Sequence, residues 1–206
     1  MKFGVLGTGE VGSAVGGKLA ALGHDVIFGS RTPASTKAAT LSAQTGAMVT
    51  SYAEAASHGT WIVNALPGEE AIGILGACQI DGKILVDIAN YNSAVDQPIM
   101  VPIGEAIQHA FPAVRLVKTL NSVSAHLMVD PQSLGAPHHV FIASNDAAAK
   151  EEVKSLLRNF GWESILDLGS LSACRAMEQL IPLWMVLEEK LGTTHFNLSV
   201  VGDRGR

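Results

Sequence analysis

The 206-residue sequence predicts an α/β fold in which helices cover both faces of a doubly wound, mostly parallel sheet. Short, nearly continuous apolar runs, such as Trp61 to Leu66 and Lys83 to Ile88, are typical of parallel strands that are buried on both faces. These runs alternate with segments whose apolar residues recur at helical spacing, which is the order that builds such a sheet. The 48% hydrophobic content is enough to fill the core of one large domain.

A glycine-rich turn follows the first of these strands. The apolar run Phe3 to Leu6 stops at a Gly-x-Gly-x-x-Gly sequence, after which apolar residues fall at helical spacing. Strand, glycine turn and helix in this order form the fingerprint of a Rossmann-type dinucleotide-binding unit. The first glycine permits the tight turn, the second lets the backbone approach a pyrophosphate, and the third lets the helix pack on the strand. We therefore assign to cofactor binding the residues Gly7, Thr8, Gly9, Glu10, Val11 and Gly12.

The end of the second predicted strand, Val26 to Phe28, indicates which dinucleotide is bound. An NAD site usually carries an acidic residue here, which accepts hydrogen bonds from the ribose 2′-hydroxyl. This chain instead has Ser30, Arg31 and Thr32, whose guanidinium and hydroxyl groups suit a 2′-phosphate. The sequence therefore predicts NADP(H). Lys37, one turn into the next helix, either reaches the same phosphate or is a solvated surface lysine.

Three further strand ends complete the predicted site. Ligands of an open parallel sheet bind outside the carboxyl ends of its strands. The strand ends that we expect beside the nicotinamide and a second ligand are Ala65-Leu66-Pro67, Ala89-Asn90 and Asn121-Ser122.

The sequence offers no recognisable catalytic acid and base. Lys118 and His126 are the titratable groups near the predicted crevice, and we interpret both as structural or loop residues. Asp87, within an apolar run, is interpreted as a hydrogen-bonded structural carboxylate. The catalytic residues are therefore left unassigned.

Cysteine and histidine spacing predicts neither a disulfide nor a metal site. Cys78 and Cys174 are far apart in sequence, which favours packing thiols in a reducing compartment. His138 and His139 are adjacent, so on a strand they point to opposite faces and chelate one metal poorly.

Residues 137–206 are predicted to form a small α/β extension of a single domain that covers residues 1–206. The extension contains two strands, a helix from Ala147 to Phe160 with Asp146 as its N-cap, and a long last helix from Ser172 to about Leu191. Pro182 is expected to kink that helix. Its apolar face either packs on the sheet or forms a dimer surface, and we expect a homodimer.

Charge and hydropathy exclude two classes of partner. The formal net charge is -5 and no basic run is present, so we expect no nucleic-acid binding. No apolar stretch reaches transmembrane length and the N-terminus has no signal pattern, so we expect no membrane association and a cytoplasmic location.

Taken with their order along the chain, these motifs resemble the NADPH-dependent oxidoreductases that include the coenzyme F-420-dependent NADP oxidoreductase and the cytosolic domain of the STEAP metalloreductases. The likeness extends from Gly4 to about Pro182. It implies hydride transfer between NADPH and a small-molecule electron acceptor, a flavin or a 5-deazaflavin such as coenzyme F-420. It also implies that Ser30 and Arg31 hold the 2′-phosphate, that Leu66 and Pro67 line the nicotinamide side, and that the loop from Asn121 to Ala125 faces the acceptor ring.

One departure and two alternatives accompany this resemblance. Asn121 stands where the deazaflavin enzymes tend to have a histidine. Hydride transfer between stacked rings needs proximity and the exclusion of water more than an acid or base. This agrees with the absence of a recognisable catalytic acid and base in the sequence. A small-metabolite dehydrogenase or imine reductase resembling pyrroline-carboxylate reductase is one alternative. A non-catalytic NADP(H)-sensing protein is the other.

Overall fold

A computed structural model describes residues 1–92 and 99–202. Its eight strands form one sheet in the order β3-β2-β1-β4-β5-β6-β7-β8. The strands are β1 (Lys2–Leu6), β2 (Asp25–Gly29), β3 (Met48–Thr50), β4 (Trp61–Asn64), β5 (Ile84–Asp87), β6 (Arg115–Thr119), β7 (Val140–Ser144) and β8 (Ile165–Asp167).

Helices connect the strands and cover both faces of the sheet. They are α1 (Glu10–Ala21), α2 (Thr36–Thr45), α3 (Tyr52–His58), α4 (Gly68–Leu75), α5 (Ile103–Ala110), α6 (Ala125–Val129), α7 (Ala147–Phe160), α8 (Cys174–Glu178) and α9 (Leu180–Leu191), with short 3-10 turns at Pro131–Leu134 and Leu171–Ala173.

The pairing of the strands confirms the predicted Rossmann-type architecture. Strands β1 to β6 are mutually parallel, so their carboxyl ends lie along one edge of the sheet. Strand β7 pairs antiparallel with β6, and β8 runs parallel to β7. The chain reverses its winding direction between β1 and β4, and such a switch point opens a ligand crevice at the carboxyl edge.

The core lies in two layers, one on each face of the sheet. Val5 and Val63 belong to one buried cluster, whereas their chain neighbours Leu6 and Ile62 belong to the other. Successive side chains of a strand point to opposite faces, so the central strands must be apolar at every position. This is why the apolar runs in the sequence are continuous rather than alternating.

Side-chain caps start several of the helices. The Asp146 carboxylate accepts a hydrogen bond of 2.9 Å from the Ala149 N–H, which confirms its predicted role as N-cap. Ser51 and Glu54 form a reciprocal capping box at the start of α3.

The predicted long last helix is divided. A 3-10 turn and α8 precede α9, and the break falls at Gln179 rather than as a kink at Pro182. A proline at position 182 has no N–H for the Glu178 carbonyl, and its ring crowds that carbonyl. The helix therefore restarts, with Pro182 in the first turn of α9 where an N–H is not needed.

Within residues 1–92 and 99–202, no helix is both long and apolar enough to cross a bilayer.

Candidate functional site

A first cavity of about 520 Å³ opens at the carboxyl ends of β1, β2, β4 and β5. Of the residues assigned to cofactor binding from the sequence, all but Gly12, Asn121 and Ser122 line it. It also includes three residues that sequence reasoning did not assign, namely Tyr52, Ile88 and Asn92.

The three glycines of the turn meet different surroundings. Gly7 has a φ of +119°, and a Cβ there would lie 2.5 Å from the Ala65 carbonyl oxygen. A Cβ on Gly12 would collide with the Gly7 carbonyl. A Cβ on Gly9 would meet nothing within 4 Å. Gly7 and Gly12 are therefore required by the packing of the protein itself, whereas the space beside Gly9 is free for a ligand.

The start of α1 is suited to the pyrophosphate of a dinucleotide. No side chain caps this helix at Gly9, so the N–H groups of its first turn are available to a ligand. Such N–H groups and the helix dipole together favour a phosphate. The bare backbone at Gly9 and the uncapped helix fit the group that the glycine motif predicts.

Two of the predicted phosphate-binding side chains are arranged for an incoming anion. The Ser30 hydroxyl oxygen accepts a hydrogen bond of 3.2 Å from the Thr32 N–H, so its own proton remains available for donation. The Arg31 side chain is 74% exposed and approaches the Glu70 carboxylate at 3.5 Å. Lys37 is exposed in the wall of the same cavity. Glu70 was not foreseen, because helices α2 and α3 separate it from Arg31 in sequence.

Asn121 and Ser122 line a second cavity of about 430 Å³ beside the first. The two cavities share five residues, which are Glu10, Val11, Ile88, Asn90 and Asn92. The remaining wall of the second cavity comes largely from the loop before α6 and from α9, with Ile181, Trp184, Met185 and Glu188. The predicted site residues therefore fall in two joined cavities, and no motif in the sequence indicates that α9 forms a wall.

A pair of asparagines fixes the boundary between the cavities. Asn90 donates a hydrogen bond of 2.7 Å to the Asn121 carbonyl, and the Asn121 amide donates to Asn90 Oδ1 at 3.1 Å and to the Met177 carbonyl at 2.9 Å. The preceding Leu120 has a φ of +61°, which is unusual for a leucine, and it is buried. This strained residue turns the chain at the end of β6 and directs Asn121 towards the boundary.

Lys118 does not face the crevice. Its side chain is completely buried, and its ammonium lies 2.9 Å from Asp87 and 3.0 Å from Glu178. Asp87 also accepts a hydrogen bond of 2.8 Å from the Asn64 amide, in agreement with its interpretation as a structural carboxylate. Burial alone would lower the pKa of Lys118, but the two carboxylates more than offset this and hold the pKa above its usual value. Lys118 therefore keeps its proton.

Glu178 connects this buried cluster to the C-terminal helices. Its carboxylate accepts hydrogen bonds from the Ile103 N–H at 2.8 Å and the Gly104 N–H at 3.2 Å, at the start of α5. Burial raises the pKa of this carboxyl group, and the Lys118 ammonium opposes the rise. Nothing in the local sequence distinguishes Glu178 from a surface glutamate, so sequence reasoning missed it.

Three histidines, His126, His138 and His195, and the thiol of Cys174 contact other groups of the protein. His126 Nε2 lies 3.1 Å from His195 Nδ1, and both rings are exposed. His138 Nε2 lies 2.9 Å from the Pro131 carbonyl oxygen. Burial raises the pKa of Cys174 to about 12, so this thiol is not a nucleophile at neutral pH. Among residues 1–92 and 99–202, no three potential ligands are grouped as a metal would require.

Comparison with known proteins identifies a family and several relatives of this chain. The family model for coenzyme F420-dependent NADP oxidoreductases matches residues 2–91. Rat metalloreductase STEAP3 is 32% identical over 90% of this chain and 38% of its own length, and human metalloreductase STEAP2 is 32% identical over 97% and 41%. The chain spans about two fifths of the length of these curated relatives.

Solved structures extend the comparison to the whole fold. A structure from Arthrobacter sp., described as a candidate F420-dependent NADP reductase, is 37% identical with a TM-score of 0.91, covering 98% of this chain and 100% of that one. A reductive aminase from Aspergillus terreus, solved with NADPH, is 19% identical with a TM-score of 0.67 over 93% of this chain and 63% of its own, and shares the fold. The chain therefore belongs to the family of NADP-dependent oxidoreductases that includes the F420-dependent enzymes and the STEAP metalloreductases, and its cofactor is NADP(H).

Proposed function

We propose that this oxidoreductase transfers hydride between NADP(H) and a flavin or 5-deazaflavin ring. In this proposal the first cavity holds the dinucleotide and the second holds the acceptor. One observation carries it: the two cavities meet at Asn90, at the carboxyl edge of the sheet where the nicotinamide is expected. A planar ring in the second cavity would lie next to that position.

The cofactor supplies the hydride when bound, and the protein supplies binding, orientation and a dry site. Arg31 and Ser30 would hold the 2′-phosphate, and the first turn of α1 the pyrophosphate. Leu66 is buried, and with Pro67 it would form an apolar wall beside the nicotinamide.

The second cavity supplies the face for the acceptor ring. Ile88 and Met128 line it together with Trp184, so apolar surface is available to a flat ring and to the exclusion of water. The Asn90–Asn121 pair would fix where the two rings approach each other. Such a transfer depends on proximity, and agrees with a buried Lys118 that takes no part.

A small C=N or C=O substrate is the second candidate, and one observation favours it. Its reduction needs a proton donor, and Tyr91 lines the second cavity. Burial raises the pKa of Tyr91, and the Glu178 and Glu69 carboxylates raise it further, so the phenol is protonated at neutral pH.

An acceptor assay separates these functions. Purified protein is mixed with NADPH and, in turn, with a 5-deazaflavin, riboflavin, FMN and a cyclic imine, and the loss of NADPH absorbance is followed. We expect oxidation with a flavin-type acceptor. Oxidation with the imine alone, abolished by Tyr91→Phe, would replace the proposal with the second candidate. NADPH binding without oxidation by any acceptor would favour a sensing protein.

The homodimer and the cytoplasmic location stay predictions. The apolar helix α9 bears on the first of them, because none of its residues is fully buried and Leu183, Val186 and Leu191 are each about half exposed. We propose that a second copy of the chain covers this face.

A further inference from the structure

The second cavity combines apolar walls with acidic side chains. Glu10 contributes a carboxylate where the two cavities meet, and Glu188 contributes another from α9. Among the described residues that line this cavity there is no lysine or arginine. The first cavity differs, because Arg31 and Lys37 lie in its wall.

Charges near the second cavity do not reverse this balance. Asn121, in the wall of this cavity, donates a hydrogen bond to Met177, the residue before Glu178. The buried cluster behind this contact contains two carboxylates, Asp87 and Glu178, and one ammonium, Lys118. His126 and His195 follow the lining residues Ala125 and Thr194 in sequence, and their rings are exposed and contact each other. Among the described residues that line this cavity, an anion would therefore meet carboxylates and no cationic side chain.

An aromatic side chain in the wall suits a flat ligand. Trp184 lines the second cavity, and its ring stacks on Phe196 with centroids 5.4 Å apart, which fixes its orientation. The indole therefore contributes apolar ring surface rather than a charge to this cavity.

From these observations we infer that the second cavity selects an uncharged planar heteroaromatic ring and rejects an anionic group. The inference rests on the proposed function and narrows its substrate class. An acceptor that carries a phosphate or carboxylate chain can place only its ring here, with the chain directed to solvent. Among acceptors with one ring system, the one without an anionic tail binds best.

Riboflavin and FMN form a suitable pair of probes, because they share the isoalloxazine ring and differ by a phosphate. Their binding to the NADP⁺ complex is measured by flavin fluorescence at low ionic strength, and their turnover by NADPH oxidation. We expect riboflavin to bind about fivefold more tightly than FMN, since each nearby carboxylate repels the phosphate. Added salt should narrow the difference, because it screens exposed charges.

Glu188→Gln tests the source of the selectivity, and Glu189→Gln is the matched control. Both remove one negative charge from adjacent positions of α9, but only Glu188 lines the second cavity. Glu188→Gln removes one charge repulsion, so it should improve FMN binding severalfold and change riboflavin binding much less. Glu189→Gln should leave both unchanged.

The outcomes separate this inference from the proposed function. Equal binding of the two flavins by the unmodified protein, or equal effects of the two substitutions, would overturn the charge selectivity. Preferred binding of riboflavin without NADPH oxidation would support the selectivity and overturn hydride transfer to flavins. Binding of neither flavin would overturn the charge selectivity and hydride transfer to flavins, and the 5-deazaflavin assay would then decide the proposed function.

Discussion

The two cavities are built from different parts of the chain. The first contains one local unit, strand β1, the glycine turn and α1, with the end of β2 close by in sequence, and the ends of β4 and β5 complete its wall. The second brings together the ends of β5 and β6 with α9 and Thr194, so its residues are drawn from positions 10 to 194. The cofactor half of the proposed site, in the first cavity, therefore depends largely on short-range backbone geometry. Its proposed acceptor half, in the second cavity, depends on long-range contacts that hold the C-terminal helices.

Glu178→Ala should cause the largest change, because it breaks the contact on which the acceptor half depends. The substitution leaves Lys118 with one carboxylate and leaves the Ile103 and Gly104 N–H groups without theirs. Breaking a buried ion pair costs about 3–5 kcal/mol. Urea unfolding should show a loss of this size.

The exposed Glu189→Ala serves as the stability control and should change the free energy of unfolding by less than about 0.5 kcal/mol. Should Glu178→Ala prevent folding, Glu178→Gln keeps the length of the side chain and one acceptor oxygen for the N–H groups. In that variant we expect weaker acceptor binding with unchanged NADPH affinity. An equal loss of both would mean that the two halves are not independent.

Arg31→Ala tests the cofactor half. A hydrogen bond to a charged group contributes about 1.5–3 kcal/mol, so NADPH affinity should fall roughly 10- to 150-fold. NADH affinity should change little, since NADH has no 2′-phosphate. Titration of both nucleotides by calorimetry measures the effect. Equal losses for NADPH and NADH would show that Arg31 does not contact the phosphate.

Gly9→Ala tests whether the space beside Gly9 serves a ligand. The added Cβ meets no protein atom within 4 Å, so the free energy of unfolding should not change. Overpacking against a bound pyrophosphate should weaken NADPH binding by about 1–3 kcal/mol. Gly73→Ala, at a glycine of α4 that also has open space beside it, is the control and should leave NADPH affinity unaltered. Unimpaired NADPH binding by Gly9→Ala would place the pyrophosphate elsewhere.

Glu70→Gln should have the smallest effect. The Glu70 carboxylate lies 3.5 Å from the Arg31 guanidinium and would compete with a 2′-phosphate for it. Exposed ion pairs contribute at most about 1 kcal/mol, so NADPH affinity should rise less than roughly fivefold, with NADH unaffected. Glu69→Gln, on the same helical turn, is the control. A fall in NADPH affinity would instead mean that Glu70 orients Arg31 for the phosphate.

The sequence predicted the parallel sheet and the cofactor half of the site because both depend on local signals. Continuous apolar runs mark doubly buried strands, and the glycine spacing specifies a turn, a close approach and a helix start. Even so, the sequence could not reveal that, of the three glycines in the turn, only Gly9 faces open space. That distinction depends on which atoms surround each glycine in the folded chain.

The acceptor half was predicted only in part. Asn121 and Ser122 were identified because they follow a strand, but the opposite wall was not, since the apolar residues of α9 carry no signal of what they face. Lys118 was placed near the crevice from its position in sequence. The structure instead buries it against Asp87 and Glu178, because a lysine within a parallel strand lies on one face of the sheet and needs carboxylates there.

The fold class, the glycine turn and the preference for NADP(H) follow from the sequence alone, because each is specified by residues that are close together in the chain. Three features appear only in the folded chain. The site consists of two joined cavities of opposite charge, α9 forms a wall of the second, and Glu178 holds the C-terminal helices to the start of α5. Those features depend on residues far apart in sequence. Their side chains meet only after the sheet has formed and the last helices have packed against it.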